Sequence, residues 1–241
     1  MKLTVEPERF RTLLRACLVH KSSPILDKVT ATFKPNGVEV NDLSIETLAV
    51  KAVFTKGYFT SYECEKDEVI ALSNEILDKL SWGFNDDKIT IYTEGNEIKI
   101  EGKTDKFSYV LDETKVSDFI PIQLTDYGII PEKHKRTVQI LVNVDNLLLP
   151  NTDRYAFESD TKDLKVGIRE LGKWVWNRKI TPAKVEKLEK LTARFNAEHF
   201  QHIVANLSGE VWFLLDEGSA VFATKTKDFA LTYAIASIEE L

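Results

Sequence analysis

Glu94-Gly95-Asn96-Glu97-Ile98-Lys99-Ile100-Glu101-Gly102-Lys103-Thr104-Asp105-Lys106-Phe107 is the stretch from which the fold is read, because much of it recurs near the other end of the chain. There Glu217-Gly218 leads into Ala220-Val221-Phe222-Ala223, and Lys225-Thr226-Lys227-Asp228-Phe229 into the apolar run Ala230 to Ile235. In the first copy the corresponding run is Ser108-Tyr109-Val110-Leu111. Each copy also follows an amphipathic stretch and an apolar strand: Asn74 to Trp82 with Ile89 to Tyr92, and Asn196 to Leu207 with Val211 to Leu214. A chain of 241 residues that repeats one helix-strand-strand-strand order is most simply two similar domains. β-rich chains also form such hairpin patterns by chance, and only the turns match closely.

Two domains of this size bury a core without help from a disulfide or a metal. Cys17 lies in an apolar helical stripe and Cys64 near a strand end, with no CxxC and no neighbouring histidine, so both read as packing residues of a reducing compartment. No run of eighteen apolar residues and no leader pattern at Met1 is present, which suits a soluble protein that is not secreted. The 32 basic and 38 acidic side chains give a net charge of −6. Nucleic-acid binders usually carry a basic excess, so charge alone argues against that class.

Taken in order, Pro7 to His20 reads as a helix with Phe10, Leu13, Leu14, Cys17 and Leu18 at i, i+3, i+4 spacing and Pro7 in the first turn. Arg11 and Arg15 lie one turn apart on the opposite face, Arg9 flanks them and Lys21 follows; for a lone helix this is ordinarily a solvated cationic face. Lys28 to Phe33, Pro35-Asn36-Gly37 and Val38 to Val40 form a hairpin, and strands follow at Leu48 to Phe54 and up to Cys64. Asn74 to Trp82 is the second helix, with Lys79 at the edge of its exposed side. Between Glu113 and Lys133 periodicity fails: Ile122 to Ile130, bracketed by Pro121 and Pro131, is too apolar for a free linker and too broken for a strand. A connector lying on the surface accounts for this best, although a partner-binding patch or a tucked loop has the same composition. The second half opens with a strand at Thr137 to Val142, but where a long helix should match Pro7 to His20 it has only Asp145 to Pro150, and Pro150 limits any helix. Strands are expected at Tyr155 to Phe157, Leu164 to Arg169 and Lys173 to Ile180. Lys184 to Arg194 is ambiguous, and a strand near Leu188 to Phe195 is favoured over a helix.

Signatures of catalysis are missing from the sequence: no Gly-rich phosphate loop, GxSxG, HExxH or EF-hand loop occurs. His199 and His202 have i, i+3 spacing, but two ligands without a Cys or carboxylate cluster make a weak metal site, and a solvated helix face is the simpler reading. No metal and no cofactor is expected.

Gly37-Val38-Glu39-Val40 with Asp42-Leu43-Ser44, Tyr58 to Cys64, Gly128-Ile129-Ile130-Pro131-Glu132, Leu191-Thr192-Ala193-Arg194-Phe195 and the ending Tyr233 to Glu240 together resemble the sliding clamps of the proliferating cell nuclear antigen (PCNA) family, most like archaeal members or a divergent or viral one. Each motif is weak alone; their order and spacing along nearly the whole chain, with the repeat, make the match specific. The resemblance implies an α+β fold of two similar β-rich clamp domains, 1–116 and 134–241, joined by a connector at 117–133. It also implies a three-subunit ring with helices on the inner face and sheets outside. Such a ring encircles duplex DNA without reading its sequence and tethers a replicative polymerase, a clamp loader, a flap nuclease or a ligase, serving DNA replication and repair with no enzymatic activity of its own. It would work on chromosomal DNA in the cytoplasm if archaeal, or inside the host cell if viral, and at no membrane. Arg9, Arg11, Arg15, Lys21 and Lys79 would face the hole, with Arg154 the nearest substitute in the second half. A basic inner face inside an acidic outer surface reconciles the net charge with DNA.

By the same resemblance, partner peptides with a glutamine and two aromatics would dock on Leu43, Thr47, Leu48, Val50, Ile129, Ile130, Pro131, Ala220, Tyr233, Ile235 and Ala236, the last standing where the family commonly has proline. Subunits would join by pairing Phe107, Tyr109, Val110 and Leu111 of one chain with Lys173, Trp174, Val175 and Trp176 of the next. Two departures from the family concern the second half: its first helix is short or missing, and its remaining helix offers Glu198, Gln201 and His202 where basic residues are usual. The same residues also fit a two-domain interaction scaffold that never encircles DNA.

Overall fold

The repeated stretch folds as two matching meanders. In a computed structural model that describes residues 1–17, 28–43, 48–73, 86–111, 136–145 and 147–238, the chain divides into two units. Unit 1 comprises Met1–Ile45, Val50–Ile122 and Lys225–Leu231; unit 2 comprises Glu46–Ala49, Gln123–Thr224 and Thr232–Leu241. The expected domain limits at 116/117 and 133/134 fall outside the described residues.

Unit 1 contains β1 (Lys2–Val5), α1 (Pro7–Cys17), β2 (Lys28–Lys34), β3 (Gly37–Leu43), most of β4 (Leu48–Thr55), β5 (Ser61–Glu63), β6 (Glu68–Ser73), β7 (Ile89–Glu94), β8 (Glu97–Glu101) and β9 (Lys106–Val110). An antiparallel sheet runs β5-β1-β7-β8-β9, and a second run is β4-β3-β2-β6. Alternation sets the faces: Ile89, Ile91, Ile98 and Ile100 are buried, while Lys99 and Glu101 point away. β1 and β6 are absent from the sequence reading. β1 has only Leu3 and Val5 as apolar signal and becomes a strand because β5 and β7 pair with it on either side. The helix expected at Asn74 to Trp82 lies outside the described residues, as do residues 18–20 of the first.

Unit 2 contains β10 (Val138–Asn143), β11 (Arg154–Ser159), β12 (Leu164–Glu170), β13 (Lys173–Ile180), β14 (Lys184–Leu188), β15 (Leu191–Asn196), α2 (Ala197–Asn206), β16 (Glu210–Leu215), most of β17 (Ser219–Lys225) and the later part of β18 (Phe229–Ala236). One sheet runs β13-β12-β11-β15 and a second run is β14-β10-β16-β17-β18. Between them α2 buries Ala197, Phe200 and Ile203. Phe200 meets Phe157 at 5.1 Å and Phe222 at 5.2 Å, and Phe213 meets Phe222 edge to face at 4.9 Å. Such ring pairs add about 0.5–1.5 kcal/mol each beyond the area they bury. The Asn196 side chain accepts from the His199 N–H and caps α2. No helix occupies Asp145 or residues 147–150, in keeping with the proline stop.

The ambiguous segment Lys184 to Arg194 is two strands, β14 and β15, so the single strand expected at Leu188 to Phe195 begins too late and hides a break. Cys64 is half-exposed in the turn after β5, its thiol donating to the Lys66 carbonyl, and is therefore no core residue. No described helix is long and apolar enough to cross a membrane.

Candidate functional site

The first helix presents its cations unequally. Arg9 donates to the Tyr58 carbonyl at 2.6 Å, its guanidinium lies 5.3 Å from the Tyr58 ring centre, and Glu6 is 3.6 Å away. The Tyr58 hydroxyl in turn donates to the Arg9 carbonyl at 2.8 Å. This reciprocal clasp ties α1 to the single 3-10 turn Lys56–Tyr58, where Tyr58 packs edge to face on Phe54 and Phe59. Burial pushes the Tyr58 phenol up to about 12. Arg11 has a surface partner, Glu8, one turn back at 2.6 Å. Arg15 lies on α1; Lys21 and Lys79 are outside the described residues. Arg154 is exposed at the start of β11. The open side of α2 shows Glu198, with Gln201 and His202 half-buried; Gln201 donates to the Tyr155 hydroxyl, and Asn206 donates to the His202 carbonyl. Among the described residues no group of three or more His, Cys, Asp or Glu is arranged to hold a metal.

Of the eleven residues expected to form a peptide pocket, Leu48, Val50, Ala220, Tyr233 and Ile235 are buried and Ala236 is exposed. Leu43 ends β3, and Thr47, Ile129, Ile130 and Pro131 are outside the described residues. A groove of about 410 Å³ in unit 2, next to Ala236 along the chain, is lined by none of the eleven but by Thr192, Ala193, Arg194, Glu217, Gly218, Ser237 and Ile238. The chain end forms one wall, because the Ser237 N–H donates to the Gly218 carbonyl and the Ile238 N–H to the Arg194 carbonyl. In the sequence Thr192 to Arg194 and Ser237-Ile238 stand among the family-like motifs without this role; the backbone bonds that join them span tens of residues and leave no local signal.

The residues expected to join subunits are on sheet edges. β9 is the outer strand of its five-stranded sheet and β13 of its four-stranded one. Phe107 is 40% exposed and Val110 66% on β9; Val175 is 61% exposed on β13. Tyr109, Leu111, Trp174 and Trp176 are half-buried and Lys173 is exposed. Arg169 lies 5.2 Å from the Trp174 ring centre and pairs with Glu158 at 2.8 Å. Among the described residues these strands are the outermost of their sheets, and exposed apolar side chains at a strand edge favour pairing with another chain.

No protein-family model matches the sequence, and no curated protein matches it. Solved structures match along the whole chain. PCNA of A. fulgidus, bound to the C-terminal region of FEN-1, is 13% identical over 100% of this chain and 99% of its own, with a TM-score of 0.79. The PCNA2–PCNA3 complex of Sulfolobus tokodaii is 12% identical over 100% of both chains with a TM-score of 0.77. PCNA of Entamoeba histolytica is 15% identical over 99% of this chain and 98% of its own with a TM-score of 0.76. At these identities the likeness establishes the fold.

Proposed function

We propose, from a chain that carries the fold of the PCNA sliding clamps along its whole length, that it is a DNA sliding clamp that encircles duplex DNA and tethers replication and repair enzymes. The observation that carries this reading is the end-to-end match, since it includes both halves of the internal repeat and nearly the whole of each neighbouring chain. The tethered partners are enzymes such as a polymerase, a clamp loader, a flap nuclease or a ligase, and the chain performs no chemistry itself. Its place of action is DNA in the cell interior.

Three features support the parts of this function. α1 carries Arg11 and Arg15 one turn apart for phosphate contact. Two apolar edges, β9 and β13, suit head-to-tail self-association, which a complex of two PCNA chains among the neighbours also favours. The groove beside Ala236 suits a partner tail, as does the neighbour holding the C-terminal region of FEN-1. The deciding experiment loads the protein on a nicked circular duplex with a clamp loader, washes at high salt, and then linearises the circle. A clamp stays through the wash and leaves on cutting. Release by salt alone, with no dependence on the cut, overturns the reading, because phosphate-held proteins dissociate steeply with salt whatever the DNA topology.

A further inference from the structure

Among the described residues Arg136 is the one charged side chain that is buried, at 9% exposed. It stands two residues ahead of β10 and reaches the turn between β16 and β17. One guanidinium nitrogen donates to the Ser219 hydroxyl at 2.6 Å and to the Asp216 carboxylate at 3.3 Å. The other carboxylate oxygen of Asp216 accepts from the Thr137 N–H at 2.8 Å and from the Thr137 hydroxyl. Asp216 and Ser219 are the two feet of the turn, which the Asp216 N–H closes by donating to the Ser219 carbonyl at 2.8 Å. Between them stand Glu217 and Gly218, which line the groove of unit 2. The Gly218 carbonyl accepts from the N–H of Ser237, on the wall formed by the chain end, at 3.0 Å. Arg136 and Thr137 therefore grip both feet of a turn to which neither belongs.

The turn does not need this grip in order to form. Its counterpart in unit 1, Glu94 to Glu97, closes with its two carboxylates served by the partly exposed amine of Lys99. It too accepts from the strand that leaves the sheet, the Leu111 N–H donating to the Asn96 carbonyl at 2.7 Å. A buried ion pair adds little net stability, because desolvation offsets the attraction, but its directed hydrogen bonds admit few arrangements. We propose that Arg136, Thr137 and Asp216 are positioning residues for the groove. They set where the Asp216–Ser219 turn stands, and with it Glu217, Gly218 and, through the Gly218 carbonyl, Ser237 on the other wall. The inference rests on the reading of that groove as the seat of a partner tail. None of the three lines the groove, so they act on a bound tail through the turn.

The probe is a labelled synthetic peptide carrying a glutamine and two aromatics, titrated by fluorescence anisotropy well below the melting temperature of every variant. Asp216→Asn keeps the shape of the side chain and removes its charge. Arg136→Met with Asp216→Asn removes both charges, which avoids a lone buried cation if the single variant fails to fold. Both are expected to bind the peptide about tenfold more weakly than the parent, with faster amide exchange at Glu217 to Ser219 and at Ser237. Arg136→Met alone should do the same, and Arg136→Lys, which keeps the cation, should recover part of the affinity. Phe200→Leu, which loosens the core of the same unit around Phe157 and Phe222, is expected to lower the melting temperature and keep the parent affinity. A Cβ at Gly218 meets nothing within 4 Å, so Gly218→Trp crowds the groove without a clash in the turn and is expected to block the peptide. Folded Asp216 and Arg136 variants that bind like the parent, or that lose no more affinity than Phe200→Leu, overturn the inference and leave the groove reading standing. A parent that does not bind the peptide, or binding that Gly218→Trp leaves unchanged, overturns the groove reading and the inference with it.

Discussion

Arg9 and Arg11 are two residues apart on α1 and carry the same charge, but their surroundings assign them different work. Arg9 is held by a carbonyl and a ring of Tyr58, 49 residues away, and Arg11 pairs with Glu8, one turn back on the same helix. Arg9→Ala is expected to cost about 1–2 kcal/mol of stability, from a charge-assisted hydrogen bond and a cation–ring contact. Arg11→Ala is expected to stay within about 0.5 kcal/mol, as exposed helix ion pairs do. Thermal melting of both variants separates the two roles. Tyr58 adds a pH dependence. Its folded pKa of about 12 lies above the usual 10, so between these values the unfolded chain has released a proton that the folded chain keeps. Stability contributed by the neutral phenol is therefore complete below about pH 10 and lost as pH rises towards 12. Melting curves from about pH 9 to 11.5 are expected to fall more steeply for the parent than for Tyr58→Phe, which starts lower because it lacks the bond to the Arg9 carbonyl. Equal slopes would remove Tyr58 from the account.

Strand contacts decide the element scale, and β12 against β13 is the sharpest case. A Cβ on Gly167 would come 2.2 Å from the Trp176 carbonyl oxygen and 2.6 Å from the Asn177 Cα, both backbone atoms that cannot swing aside. Gly167→Ala is expected to destabilise unit 2 by about 1–3 kcal/mol and to push the β13 edge out of place, lowering the mass in solution along with the melting temperature. Gly37 faces a similar limit at the β2–β3 turn, where φ is +148° and any Cβ would meet the Phe54 carbonyl oxygen at 2.0 Å. The hairpins and α2 were legible in the sequence because their signals are local, alternation, turn residues and helical spacing, whereas the Asn196 cap appears only in the structure. β14 was not, and the reason is a bulge. Val185 pairs with buried Ile140 and Leu188 with buried Val138, while the register shifts between Gln139 and Ile140. The bulge turns a two-residue strand period into a three-residue spacing, which in sequence looks like a helix. The candidate site was legible to the same extent. The placement of Arg11 and Arg15 one turn apart follows from helical spacing, whereas the two sheet edges came only with the family resemblance, and the clasp on Arg9 and the groove beside Ala236 depend on partners distant in sequence.

At the scale of the molecule the opposing facts are a net charge of −6 and a proposed function on a polyanion. Charge of this sign repels DNA at long range, and α1 offers few cations, so the free chain is expected to show no measurable binding to linear duplex at physiological salt. Retention should come from topology, and electrostatics should set only how the ring rests on the duplex. α2 is the place to test that division, because its exposed Glu198 is a like charge to phosphate and it carries no lysine or arginine. Glu198→Lys changes each chain by two charges at a site outside the core. It is expected to leave stability within about 0.5 kcal/mol and to produce salt-sensitive binding to linear duplex that the parent lacks. On a closed circle the parent and the variant should both survive a high-salt wash, since encirclement does not depend on screened contacts. If Glu198→Lys instead leaves linear binding unchanged, then α2 is held away from the duplex. Fluorescence anisotropy on linear duplex, run with the circle assay on the same preparations, decides between these arrangements, because only a DNA-facing α2 turns the added lysine into a gain in affinity.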